Sequence, residues 1–287
     1  MNLENYQKIR NGAAAYYSQN RGLIEVSGKE AIQFLNGLIT NDVAKLEENA
    51  QMLAAFPDAK GRLIAVVRVL RNGDKFLFET EATTHEKVFN NLFRFTFAGD
   101  FFVEDLSEKY EFFSITNYEL PITNAINFGN DVFIPKDSIE NFKNDLKEAI
   151  EITDELYEVL RIEQGIPLYG VDMDETTIVP ELGLPELISY KKGCYIGQEI
   201  IARIHFRGHI AKQLTGLEVE SRESRVESQE LKSLEGKSAG RITSVAFSPK
   251  LGKTIALAYV RYEFLAEGTE LKIGEITATV KNFPFIG

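Results

Sequence analysis

Apolar residues along the chain fall in short runs whose spacing alternates between the two periods that mark strands and helices. Residues 21–45, RGLIEVSGKEAIQFLNGLITNDVAK, read as a strand over 23–26 followed by a helix. Ser27 and Glu30 have the S-x-x-E spacing of a capping box. Ile32, Leu35 and Ile39 recur at helical spacing, and Gly37 reads as the stop. Residues 62–80, RLIAVVRVLRNGDKFLFET, read as a β-hairpin joined at Asn72-Gly73, the strongest short turn signal. A helix carrying Val88, Leu92 and Phe95 follows, then strands and an amphipathic helix that ends near Ile150.

Residues 154–167 place Leu156, Val159, Leu160 and Ile162 on one helical face, ended by Gly165 and Pro167. Strands and helices thus alternate over the first 210 residues or so, predicting an α+β core. The charged stretch 221–238 reads as a long solvated hairpin or loop. After it, RITSVAF, TIALAYV and ELKIGEITATV predict a small C-terminal β-barrel. The expected division is 1–212, with subdomains of about 20–100 and 101–212, and 213–287.

Charge narrows the function. A net −11 over 287 residues argues against direct binding to DNA or to an anionic membrane, both of the same sign. One cysteine allows no internal disulfide, and no apolar stretch is long enough to span a bilayer, so the expectation is a soluble cytoplasmic protein.

Several motif fragments fail. Gly236-Lys237-Ser238 and Gly252-Lys253-Thr254 lack the earlier glycine of a phosphate-binding loop, with Leu231 and Phe247 in its place. His205 and His209 are four apart, but Gly208 interrupts the helix that would align them, and no metal site is expected.

One segment stands against the acidic background. From Lys191 to Lys212 there are five basic residues, Lys191, Lys192, Arg203, Arg207 and Lys212, against one acid, Glu199. The segment suits either an anionic ligand with a planar part or a solvated basic helix face. It contains the sole cysteine, in Lys192-Gly193-Cys194-Tyr195-Ile196-Gly197-Gln198-Glu199. A neighbouring ammonium and a helix start at 197–199 would favour thiolate, and flanking glycines allow close backbone approach. Upstream, Arg161 and Glu163 end a helix and Tyr169 follows in a loop, where a carboxylate could pair with a pterin edge and a tyrosine stack on its ring.

These residues resemble a known family. RIEQGIPLYGVDMDE (161–175) is similar to the R-L-E-A-G-x-x-L-Y-G-x-D-x-D-E segment of the glycine cleavage T-protein, and KGCYIGQEIIAR (192–203) to the signature of its YgfZ branch. The resemblance extends through VSGKEAIQFLNGLITNDV, Lys60-Gly61-Arg62, GRITSVAFSPKLGKTIALAYV and KNFPF. It implies a T-protein-like folate-binding fold, with α/β N-terminal and central domains around an opening and a small C-terminal barrel. It also implies a tetrahydrofolate cofactor and a role in iron–sulfur cluster assembly or repair for client enzymes, among them a tRNA methylthiolase.

On this resemblance Lys192 and Cys194 take the motif's lysine and cysteine, and Arg161 the T-protein's folate-contacting arginine. Tyr169, Tyr195, Gln198, Glu199, Arg203 and Arg207 are the further candidate cofactor contacts. The T-protein's essential aspartate has no counterpart: its place reads EATTHEKVF (81–89), with Glu86 the nearest carboxylate. The G-Y-T-G-E-x-G-F-E segment has none either. Two alternatives therefore stand beside the accessory reading, a folate-dependent aminomethyl or one-carbon transferase and a protein- or RNA-docking module without folate.

Overall fold

The computed structural model describes residues 1–118, 125–221 and 230–286. The chain divides into two units, Met1–Thr153 with Glu186–Gln198, and Asp154–Pro185 with Glu199–Gly287.

The first unit runs α1 (Leu3–Arg10), β1 (Ala15–Gln19), β2 (Arg21–Ser27), α2 (Ala31–Leu38), β3 (Gln51–Pro57), β4 (Leu63–Asn72) and β5 (Lys75–Glu81). It continues with α3 (Ala82–Phe93), β6 (Phe102–Asp105), β7 (Tyr110–Thr116), β8 (Ile126–Phe128), β9 (Asp131–Pro135), α4 (Ile139–Asp145) and β10 (Ile150–Glu151). Its strands form two sheets, β3-β4-β5-β2-β6 and β10-β1-β7-β9-β8. Strand alternation explains how they stack, because successive side chains point to opposite faces. Ile24, Val26, Val67 and Phe78 face Leu35 of α2 and Val88 and Leu92 of α3. Leu23, Leu70 and Leu77 point the other way, against Phe112, Phe128 and Phe133 of the second sheet. The second sheet's far face, through Phe113, Ile115 and Ile134, packs on Ile139 and Phe142 of α4. The result is helix, sheet, sheet, helix.

The second unit contains α5 (Asp154–Gln164), α6 (Gln198–Arg207), β11 (Lys212–Val219), β12 (Glu230–Ser233), β13 (Ser238–Ser248), β14 (Lys253–Arg261), β15 (Glu270–Ile273) and β16 (Ile276–Lys281). The strands close into a barrel in the order β11-β14-β13-β12-β15-β16, with β16 back against β11. Closure removes the free sheet edges. Leu217, Leu231, Ile242, Ala258, Leu271 and Val280 fill its interior.

Several expectations are corrected. The capping box does not form: the Glu30 carboxylate accepts instead from the Asp100 N–H at 2.7 Å, and α2 begins without a side-chain cap. Gly37 lies inside α2, and Ile32 is exposed. The turn of the 62–80 hairpin is one residue later, since Asn72 still pairs with Lys75 and Gly73 takes the positive φ of +66°. Phe95 lies beyond the end of α3. The helix expected to reach Ile150 stops at Asp145, and Ile150 pairs with Ala15.

Part of the charged hairpin expected over 221–238, residues 222–229, lies outside the described residues. Of the rest, 230–233 is a barrel strand with Leu231 buried. Helix α5 and the chain to Pro185 group with the barrel, because α5 packs on β13 and β14.

Candidate functional site

The Cys194 loop is built into the first unit by contacts with a turn far away in sequence. The turn at 39–42 follows α2 and is braced from within. Thr40 Oγ1 accepts from the Ala55 N–H at 2.9 Å, the Asn41 amide donates to Leu53 O at 2.8 Å, and the Asn36 amide donates to Asp42 Oδ1 at 3.0 Å. Burial pushes the Asp42 carboxyl up, but bonds from Asn36, Lys45 and the Ala44 N–H outweigh it and hold it below its ordinary value.

This turn receives the 186–198 segment at successive points. Thr40 Oγ1 donates to Leu187 O at 2.5 Å, Asn41 Nδ2 to Glu186 O at 2.8 Å, and Ser189 N–H to Thr40 O at 3.0 Å. Lys192 Nζ donates to Ile39 O at 2.8 Å and Asn41 O at 2.6 Å, and the Ile196 N–H donates to Gly37 O at 3.1 Å. Gly197, at φ +79°, lies against the 58–61 turn so closely that a Cβ there would sit 2.4 Å from Asp58 O. Lys60-Gly61-Arg62 and the cysteine motif, singled out separately in the sequence, therefore meet in space.

Between these anchors Cys194 is exposed, and Gly193 opens onto space, with no atom of the described residues beyond its chain neighbours within 4 Å of a Cβ placed there. The half-buried Lys192 ammonium lies 5.1 Å from the centre of the Tyr195 ring. Burial pulls Lys192 down to about 8, partly offset by the Asp42 charge. Tyr195 is 7% exposed, and burial pushes its phenol up to about 12. Its hydroxyl is buried without a hydrogen-bond partner among the described residues. The Gln198 amide donates back to Gly193 O at 3.4 Å and so supports the loop.

In the second unit the RIEQGIPLYGVD motif is a packing device. Arg161 is 2% exposed. Its guanidinium donates to both Glu158 oxygens (2.6 and 2.5 Å), Ile166 O (3.0 Å), Asp172 Oδ2 (2.9 Å) and Ser244 Oγ (2.8 Å). A guanidinium has five N–H donors, so none remains for a folate. The residue, expected from the resemblance to contact folate, here clamps α5 to the 168–172 turn and to the barrel. Asp172 is the hub, also accepting from Leu168 N–H, Thr243 Oγ1 and Ser244 Oγ. Spacing alone gave no sign of this role. Tyr169 is buried with its hydroxyl 3.5 Å from Glu175, and Glu163 accepts from Ser248 Oγ at 2.5 Å.

The basic segment also splits by role. Lys192 is committed to carbonyls, and Lys212 lies 3.9 Å from the buried Glu181, whose carboxyl burial pushes up, and 4.6 Å from the Tyr259 ring centre. Glu199, Arg203 and Arg207 are exposed on α6. His209 lies beyond the end of α6, its ring 4.4 Å from that of Tyr262, so the i, i+4 histidine pair does not share a helix. Among the described residues no group of three His, Cys, Asp or Glu side chains could hold a metal. No described helix is long and apolar enough to cross a membrane.

A folate needs cations for its carboxylate tail and polar groups for its pterin edge. On α6 of the second unit, the exposed guanidiniums of Arg203 and Arg207 are cations of the kind such a tail pairs with.

The sheets, the closed barrel and the order of elements define a T-protein fold. Residues 2–116 match the N-terminal domain of that protein, and residues 212–286 match its C-terminal barrel domain. The chain is thus T-protein-like. The crystal structure of glycine cleavage system aminomethyltransferase T from Bartonella henselae superposes with a TM-score of 0.87, covering 99% of this chain and 89% of that one at 18% identity. Among curated proteins, an aminomethyltransferase of Halothermothrix orenii is 25% identical over 99% of this chain and 91% of its own. A mitochondrial iron–sulfur cluster assembly factor IBA57 homolog of Mycosarcoma maydis is 26% identical over 69% of this chain and 55% of its own.

Proposed function

We propose that the protein is a tetrahydrofolate-binding accessory factor of the YgfZ branch that supports iron–sulfur cluster assembly or repair in client enzymes, including tRNA methylthiolation, with Cys194 as its working thiol. The observation that carries this reading is the presentation of Cys194. It is the chain's single cysteine, exposed, on a loop anchored at 186–189, 192 and 196–197. Burial, the usual structural use of a free cysteine, is absent there. The similarity to an iron–sulfur assembly factor supports the same class of role. In the second unit Arg203 and Arg207 hold the carboxylate tail of the folate. When bound, the folate supplies a carrier for a one-carbon group.

A folate-dependent aminomethyl transferase is the second reading, favoured by the names of relatives matched across nearly the whole chain. It is weakened at Glu86, which lies exposed on α3 while Thr84, Val88 and Leu92 face the core.

Calorimetric titration with tetrahydrofolate and its 5-formyl form tests the cofactor. Saturable binding, weakened about tenfold (about 1.4 kcal/mol) by Arg203→Ala with Arg207→Ala, supports it. No binding of either at millimolar concentration removes folate from the function. The thiol is tested by cluster content of a client enzyme in cells carrying Cys194→Ser, which should fall. Aminomethyl transfer from glycine-derived substrate by the purified protein would instead establish the second reading.

A further inference from the structure

Sequence suggests that Lys192 acts on the thiol two residues away. The geometry gives it different work. Two of the three Lys192 N–H donors are taken by Ile39 O and Asn41 O, at 2.8 and 2.6 Å. Those carbonyls belong to a turn that is itself immobilised by Thr40, Asn41 and Asn36. Just past the cysteine, Ile196 N–H to Gly37 O and the seating of Gly197 on the 58–61 turn fix the chain again. Gly193 has open space around it and contributes no packing. Upstream of Cys194, the Gly193 carbonyl accepts a long 3.4 Å bond from Gln198 of the same segment, and the nearest tether to a distant segment is the Lys192 ammonium.

We infer that Lys192 is a positioning residue, which fixes where Cys194 is presented by tying its own loop to the Ile39 and Asn41 carbonyls. The inference rests on the reading of Cys194 as the working thiol. Charge-assisted bonds to two carbonyls hold a short loop more firmly than neutral ones, and a lysine stem is long enough to reach a turn its own backbone does not touch. A loop held at both ends presents its apex at a defined point, which a thiol meeting a large partner requires.

The test uses the full chain, its Lys192→Met and Lys192→Arg variants, and two readouts. The first is amide hydrogen exchange at Ile196; the second is the pH profile of Cys194 alkylation by iodoacetamide, which has no background because the chain has one cysteine. In Lys192→Met the protection of Ile196 should fall about tenfold, amides of β14 should keep theirs, and the alkylation midpoint should stay where it is. Lys192→Arg, which keeps donors for both carbonyls, should restore most of the protection.

Unchanged Ile196 protection in Lys192→Met would overturn the inference. So would an alkylation midpoint raised by about one pH unit, the signature of an ammonium acting on the thiolate. If the methionine variant does not fold, Lys192→Gln against Lys192→Arg carries the same comparison. Client cluster content that survives Cys194→Ser would remove the thiol's function while leaving both readouts intact, so the two failures are separable.

Discussion

Half-burying Lys192 makes the stability of the first unit depend on pH in a definite direction. Its pKa falls from 10.5 to about 8, chiefly through desolvation of the ammonium. Below pH 8 the lysine is charged in both folded and unfolded chains, and the folded state bears the full penalty. Between about 8 and 10.5 the unfolded chain binds the proton and the folded chain does not, so stability rises with pH across that window. The displacement sets a ceiling of ~3.4 kcal/mol, and solvent screening at a half-buried site leaves about 1–2 kcal/mol. Urea unfolding of the wild type and Lys192→Met at about pH 7 and about pH 10 reads this directly, because the other titrating groups cancel between the two proteins. The wild type should gain ~1–2 kcal/mol relative to the variant on going to the higher pH. A relative stability that stays flat, or that moves the other way, refutes the claim that this ammonium is desolvated in the fold.

Arg161→Ala should destabilise the second unit by about 3–5 kcal/mol, because it strands the buried Asp172 carboxylate without its ion-pair partner; a urea midpoint near wild type would contradict the clamp. Tyr195→Phe should be neutral or stabilising by about 1 kcal/mol, since the deleted hydroxyl has no partner among the described residues. A loss of stability there would mean that the hydroxyl is satisfied in solution. Gly197→Ala should cost about 1–3 kcal/mol, combining a positive φ with a Cβ driven against Asp58 O, and its melting temperature checks this.

What the sequence made legible was local. The 62–80 hairpin, helix α5 with its stop at Gly165, and the start of α6 at Gln198 all follow from short-range spacing and turn chemistry. What it hid depends on residues far apart. The Ser27–Glu30 spacing promised a cap, but the carboxylate found a backbone donor at Asp100, 70 residues away. Arg161 carried a motif whose spacing cannot distinguish a ligand contact from a guanidinium saturated by Glu158, Asp172 and Ser244. The turn that holds Lys192 lies about 150 residues before it, and nothing in its Ile-Thr-Asn-Asp sequence advertises that its carbonyls receive an ammonium.

Those hidden contacts bear on function, because the cysteine loop breaks several local rules at once. Within 192–197 a lysine is held where its charge is disfavoured, a tyrosine hydroxyl is buried without a partner, and a glycine is required at positive φ against a neighbouring backbone. Each feature carries an unfavourable term of its own, a desolvated charge, an unsatisfied hydroxyl or a crowded backbone at positive φ. A chain selected for stability alone has no use for them there. Such locally unfavourable choices persist where surrounding structure over-determines them, and they concentrate at sites that do chemistry or recognition. Here the surrounding structure is the braced 39–42 turn, and the group it serves to expose is the only thiol in the chain.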